Sequence, residues 1–566
     1  MALVVLWSMS RSMGAHISAG LPTPSARHHW VRCLSQRGVV DRRRHPSGSV
    51  IEKVLPHSGI TFGSEKGRTM TSNADRDLGD DRLVVRHPDS QLYNEDLAPL
   101  PASKRRWGWF EIFNVWSNDI QSLAGYTLAA SLFITAGING WFVFAAILLA
   151  GFIIKVLVDL SGRPSVKYGF PYPVLARASM GVHGAQFPAV VRAIVAIFWY
   201  GAQTYFASTA IALALNAVLG SPGGAQFLGM DWVSWVSYVL ASVLQVGLFL
   251  GGIERIAKFL DFVGPAVYLV MIALLVAIWS QVGAELPKAV GEIFNRDDVN
   301  GWAAVGAFFG VTGTMIAYFA AVVINFGDFA RNVKTEKAMR FGNLTGLPIS
   351  LALFTFLSVF TTAGAYIAYQ GGQGEPLTNP ADIVALVDNV PLTVLAAVTF
   401  LLATLGINVV ANFIPPSYSL SNINPSKITF QRAGAITAIA GFVIGALWVA
   451  VISQIGLPKF VDTLGAVLAP LYGIIIADYY LVRHQRLNLH DLYSTDPKGT
   501  YWFDGGWNRK AVIAFAIAAV FSMLAVWLPG LASLAGFAWV IGAAIGGLLH
   551  WVVMRKTVVV QSDDDV

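Results

Sequence analysis

Charge is scarce in this chain. Asp, Glu, Lys and Arg make up 13% of its 566 residues, against roughly 25% in a water-soluble domain. That deficit argues against a soluble fold of this length. Cysteine is nearly absent: Cys33 is the one copy. No intrachain disulfide can form, and cysteine usage leaves the redox compartment open. Also missing are a His/Asp/Glu cluster at metal-ligand spacing, a Ser/His/Asp constellation and a phosphate loop ending in Lys-Ser/Thr. His183 stands alone in a loop. These absences argue against an enzyme and against an ATP-driven pump. No catalytic residue, metal or organic cofactor is expected. The net charge of +6 is no nucleic-acid signal here, because in a membrane chain the positions of the positive charges matter more than their sum.

What is present is apolar length. The chain is 55% hydrophobic and 12% aromatic, with a mean hydropathy of +0.58. Runs such as "WFVFAAILLAGFIIKVLVDL" (141–160) match the roughly 20 residues needed to cross the hydrocarbon core as a helix. The expectation is an all-α polytopic membrane protein with about twelve transmembrane helices. They are placed near 112–136, 139–160, 189–219, 232–252, 257–281, 302–326, 343–369, 391–414, 433–453, 460–482, 511–530 and 532–554. The membrane domain is expected over residues 101–555. Residues 1–100 differ in kind, rich in Arg, Ser, Pro, His and Gly. They read either as a disordered tail or as sequence upstream of a true start at Met70. The opening "MALVVLWSM" is too short for a span and lacks the basic flank of a signal peptide. An acidic tail follows at 556–566.

The loops alternate in charge. One set carries Arg163, Lys167 and Arg177, then Arg255 and Lys258, then Arg331, Lys334, Lys337 and Arg340, then Lys427 and Arg432, then Arg483, Arg486, Arg509 and Lys510. The other set is nearly empty or acidic. Positive loops face the cytoplasm, so both termini are expected there, in a plasma (cytoplasmic) membrane.

Four spans carry polarity where lipid would penalise it. The first begins "WSNDIQSLAGYT" (116–127), and the third reads "FWYGAQTY". The sixth has Gly310, Thr312, Gly313 and Thr314 at its middle, and the eighth ends "TLGINVVANFIPP". Such groups normally face a bundle interior or a water-filled cavity. Trp199 and Gln203 are four apart and share a helix face, as do Asn408 and Asn412. An aromatic ring beside amide side chains suits a flat ligand with N–H and C=O edges. The competing reading is that the amides and glycines only hold helices together. Spans one and six occupy corresponding positions in a five-plus-five inverted repeat, where interrupted helices mark a transport site. Breaks are expected in both.

These residues, with "NEDLAPL" (94–100), "KYGFPYPVLARASMGVHGAQFPAVVRA" (167–193), "NFGDFARN" (325–332), "NVVAN" (408–412) and "ADYYLVR…LYSTDPKGTYWFDGGWN", resemble the nucleobase–cation symporter family 1. That family includes uracil, cytosine, allantoin and hydantoin permeases, and the resemblance covers roughly residues 90–555. It implies two inverted five-helix repeats, two extra C-terminal helices and alternating access around a central site. It implies that Trp199 stacks on the substrate and that Gln203 and Asn412 bond its edge. Asn408 would line the site, Gln121 would sit beside the ligand and the Ala317 carbonyl would face it. Tyr318 would stand where the hydantoin permease has a second tryptophan.

The cation site departs from the family pattern. The carbonyl positions fall on Ser117, Ile120 and Ala403. The two hydroxyl positions fall on Gly406 and Ile407, neither of which has a side-chain oxygen, and Thr404 is one turn off. Three carbonyls make a poor shell for a hard cation. Proton coupling is therefore expected rather than sodium coupling, with uniport or a degenerate sodium site as alternatives. Asp119 reads either as the coupling group or as a cap at the break. Lys258 reads either as a charge occupying the cation position or as an ordinary positive-inside residue. The implied partners are a small heterocycle and the lipid bilayer, and a monomer is expected.

Overall fold

The computed structural model describes residues 84–85, 88–220, 223–295, 298–386 and 389–557. Cys33, Met70, most of the N-terminal tail and residues 558–566 lie outside the described residues. Among the described residues, ten helices are long and apolar enough to span a membrane, from Gly140–Tyr168 to Ser533–Met554. Two shorter apolar helices, Leu123–Thr135 and Phe430–Ala446, fall in spans one and nine. The expected twelve spans are thus all represented. Some run on past their apolar limits: the second continues to Tyr168 and the seventh begins at Glu336. The ninth is shorter than expected, because the chain turns after Ala446.

The first span is two helices, Trp109–Ile120 and Leu123–Thr135. Ser122 caps the second, its hydroxyl accepting from Gly125 N at 3.1 Å, the preferred chemistry for a helix start. Leu123 N donates to Thr404 Oγ1 of the eighth span at 3.3 Å. Backbone groups freed by the break are therefore met by protein rather than lipid, as they must be at that depth.

The sixth span differs from expectation. It is one continuous helix, Gly301–Asn325, interrupted only at Phe326, before Gly327–Ala330. Gly313 instead admits a neighbour. A Cβ on Gly313 would lie 1.5 Å from the Gly536 carbonyl oxygen, and one on Gly536 would lie 2.6 Å from Gly310 Cα. Gly313 and Gly536 serve close packing of the segment Pro529–Phe537, and neither Gly310 nor Gly313 breaks the helix.

In the eighth span, regular α-helix gives way to a wider π turn over Asn408–Phe413. The cause is local. Pro415 has no N–H, so the Ala411 carbonyl lacks its helical donor. Arg192 of the third span supplies one at 2.9 Å and also donates to the Ala321 carbonyl and to Asn325 Oδ1 of the sixth span.

Several arginines of the basic loops are buried clamps. Arg177 donates to the Leu492 carbonyl and to Asn422. Arg483 pairs with Asp478 at 2.7 Å, and Arg331 holds the carbonyls of Asp96 and Ala98. Residues 88–100, grouped with the tail from sequence, are consequently docked, with Leu92 and Leu97 buried. Lys155 and Asp159 form an ion pair at 2.6 Å.

Candidate functional site

Asp119, Trp199, Gln203, Tyr318, Ala321, Val322, Ala411 and Asn412 line one small cavity, of about 10 Å³. It lies where the broken first span meets spans three, six and eight. The Trp199 and Tyr318 rings stand edge to face, 5.5 Å apart at 88°. Phe460 of the tenth span packs on Trp199 at 5.2 Å and on Trp448 at 5.1 Å. The aromatic pair is therefore a corner and not a parallel sandwich.

The Tyr318 hydroxyl fastens this corner to the break. It lies 3.0 Å from Ser122 Oγ and donates to the Asp119 carbonyl at 3.4 Å. Gln203 Nε2 donates to the same Ser122 oxygen at 3.4 Å. Its Oε1 is buried with no hydrogen-bond partner among the described residues, so an acceptor is left for a ligand. Asn412 Nδ2 donates to Asn408 Oδ1 at 3.1 Å. Asn408 in turn donates to Gln245 Oε1 at 2.6 Å and to the Tyr200 carbonyl at 3.1 Å. Asn408 is thus a buttress that orients Asn412, bonded on every side.

Two other expected ligand neighbours stand off the cavity. Gln121 is bonded to Ser117 Oγ at 3.1 Å, along its own half-helix. Ala317 is turned to the tenth span, where a Cβ on Gly465 would lie 2.8 Å from the Ala317 Cβ.

Asp119 lines the cavity. Ser122, not Asp119, caps the break. Among the described residues, no hydrogen bond or ion pair reaches the Asp119 carboxylate. Lys258 is exposed on the fifth span.

The Asn118 side chain stands beside the cation position assigned by resemblance. Asn118 Nδ2 donates to the carbonyls of Asn114 at 2.8 Å and Leu260 at 3.2 Å. Asn118 Oδ1 would lie 3.3 Å from a Cβ on Gly406. The Ser117 carbonyl is used by Gln121 N at 3.1 Å. Thr404 Oγ1, the nearest hydroxyl by sequence, accepts from Leu123 N. Gly406 and Ile407 supply no side-chain oxygen there, and Asn118 Oδ1 is buried beside them with no hydrogen-bond partner among the described residues.

Ser122, Ala321, Val322, Ala411 and Phe460 were not singled out from sequence. Ala321 had a legible signal, three residues beyond Tyr318 on the same helix face. Phe460 had none, since its role depends on how the tenth span crosses the third.

The family model described as a permease for cytosine/purines, uracil, thiamine and allantoin matches residues 99–553. The allantoin permease of Bacillus subtilis is 34% identical over 477 residues, covering 82% of this chain and 94% of that protein. The purine-uracil permease NCS1 of Arabidopsis thaliana is 29% identical over 520 residues, covering 89% and 84%. In fold, the chain is similar to Mhp1, a nucleobase-cation-symport-1 family transporter in a closed conformation with bromovinylhydantoin bound. The TM-score is 0.67 at 24% identity, covering 84% of this chain and 98% of that one. The architecture is accordingly two five-helix inverted repeats followed by two C-terminal helices. An all-helical membrane bundle, an aromatic–amide cavity at a helix break and a family match across most of its length converge: the chain belongs to the cytosine/purine, uracil, thiamine and allantoin permease family and is a membrane transporter, not an enzyme.

Proposed function

We propose that this permease imports a small planar N-heterocycle, with allantoin foremost and uracil and hydantoins as close alternatives, in symport with protons. The observation that carries the reading is one cavity lined by Trp199, Tyr318, Gln203 and Asn412 together with Asp119, whose carboxylate has no hydrogen bond or ion pair among the described residues. The indole face accepts a flat ring, and Gln203 Oε1 and the Asn412 amide meet N–H and C=O edges. The 34% identity to an allantoin permease supports allantoin over the other rings. Tyr318, smaller than a tryptophan, leaves room for a substituent on the ring.

Asp119 supports the proton. An unpaired buried carboxylate is costly as an anion, and a proton is the one cation it can hold without further oxygen ligands. Gly406 and Ile407, which supply no side-chain oxygen, weigh against sodium. The basic loops support cytoplasmic termini in the plasma membrane.

Proteoliposomes with imposed gradients test this. Labelled allantoin should accumulate under an inward proton gradient, with or without sodium, and Asp119→Asn should exchange substrate without proton-driven accumulation. Accumulation driven by sodium alone would sink the coupling assignment. Failure of allantoin, uracil and hydantoin alike to exchange would sink the substrate class.

A further inference from the structure

The tenth span holds a second buried carboxylate outside the cavity. Asp462 lies near the start of Leu457–Val482 and is 7% exposed. Its Oδ1 has no hydrogen-bond partner among the described residues. Its Oδ2 receives only the Thr314 hydroxyl, at a long 3.5 Å.

No cation faces it. Lys459, one turn earlier, has its ammonium 4.3 Å from the centre of the Trp527 ring. The sixth span has no Asp, Glu, Lys or Arg between Gly301 and Asn325, and neither Ile517–Trp527 nor Pro529–Phe537 carries one. Tyr318, the titratable group of the sixth span, is bonded at Ser122. On the twelfth span, His550 is bonded to Asp478. Arg177 and Arg192, on elements that also pack against the tenth span, are committed to carbonyls and amides.

The position gives this group consequences. Phe460, two residues before Asp462, covers Trp199. Gly465, three residues after it, seats on Ala317. Thr314 is one turn from Tyr318 on the same face of the sixth helix. The opening turns of the tenth span therefore cover the cavity on the face away from the basic loops. Moving them off would uncover Trp199 and wet Asp462 together.

We infer that Asp462 is a proton-binding group that links protonation to closure of this face. In the open arrangement water solvates the carboxylate. In the closed arrangement the ion would have one weak hydrogen bond and no counter-charge, which disfavours closing. Taking a proton from water removes that penalty. The closed form then holds one more proton than the open form, so falling pH favours closure and rising pH favours opening, by about tenfold per pH unit for one linked proton. The inference rests on the alternating-access, proton-coupled reading but has its own test.

A Val322→Cys reporter on the cavity wall, in the full chain with Cys33→Ser, is labelled in proteoliposomes by a membrane-impermeant maleimide added to the face away from the basic loops. No substrate is present, and rates are normalised to a free thiol to remove the reagent's own pH dependence. Labelling should rise steeply with pH. Asp462→Asn should label slowly at every pH, and Asp462→Glu should keep a pH-dependent profile. A parent profile that is flat, or one retained unchanged in Asp462→Asn, overturns the inference. If Asp462→Asn does not fold, Thr314→Val serves instead: removing the carboxylate's single donor should move the profile, and an unmoved profile overturns the inference. Asp119→Asn separates the two readings. Lost proton-driven accumulation with an intact labelling profile supports both, whereas a profile abolished only by Asp119→Asn overturns the role of Asp462. An intact Asp462-dependent profile without proton-driven transport in the parent sinks the proposed coupling alone.

Discussion

Replacing Gln203 by leucine should weaken substrate binding while leaving the empty protein folded. The reason is an asymmetry at this side chain. Gln203 Oε1 is buried without a partner, so in the empty protein it contributes no hydrogen bond and only the penalty of an unmet acceptor. Leucine is similar in volume and removes that acceptor. Ser122, the recipient of the Gln203 amide at 3.4 Å, keeps Tyr318 and Gly125. The loss falls on the bound state, where a substrate N–H is left buried and unpaired at about 1–3 kcal/mol, or roughly 5–150-fold in affinity. In a thermal-unfolding assay, allantoin at 100 times the parent's dissociation constant stabilises by about 2.7 kcal/mol. In Gln203→Leu the same concentration should give about 0.3–1.8 kcal/mol. A full ligand-induced shift in Gln203→Leu would refute the assignment. Loss of folded protein before ligand is added would refute the claim that this oxygen is idle in the empty state.

Three further outcomes are expected. Tyr318→Phe removes the hydroxyl that joins Ser122 to the Asp119 carbonyl and should lower stability by about 1–2 kcal/mol, read as a reduced unfolding midpoint; an unchanged midpoint would mean the break is held by other contacts. Gly313→Ala should destabilise by at least the roughly 1–3 kcal/mol of an overpacked core, since its Cβ would meet the Gly536 carbonyl. Gly310→Ala, whose Cβ meets nothing within 4 Å, should be tolerated, and equal effects would refute the packing account. Replacing sodium by choline should leave allantoin uptake unchanged, because Gly406 and Ile407 supply no side-chain oxygen. A strong sodium requirement would refute the proton-coupled reading.

Much of this protein was legible in one dimension because the bilayer imposes simple rules. Span length, scarcity of charge and alternation of basic loops each follow from hydrocarbon thickness and the cost of a charge in it. The polarity of "SNDIQS" marked the break in the first span for the same reason. Gly310 and Gly313 misled, since a glycine that interrupts a helix and one that admits a neighbour look alike until the neighbour, Gly536, is in place. The arginines misled differently. Arg177, Arg192 and Arg331 read as loop charges or attracted no notice, yet each is a buried donor to carbonyls distant in sequence.

The sequence by itself determined the membrane class, the number of spans, the break in the first and the amide and aromatic chemistry available to a ligand. All of these depend on local composition and on spacing along one helix. Only the tertiary structure decided which of those groups meet. It turned Trp199, Gln203, Tyr318 and Asn412 onto one cavity, turned Gln121 and Ala317 away and left Asp119 and Asp462 without counter-charges. Those outcomes depend on the rotation and crossing of helices far apart in the chain, and the periodicity of a single helix carries no information about either.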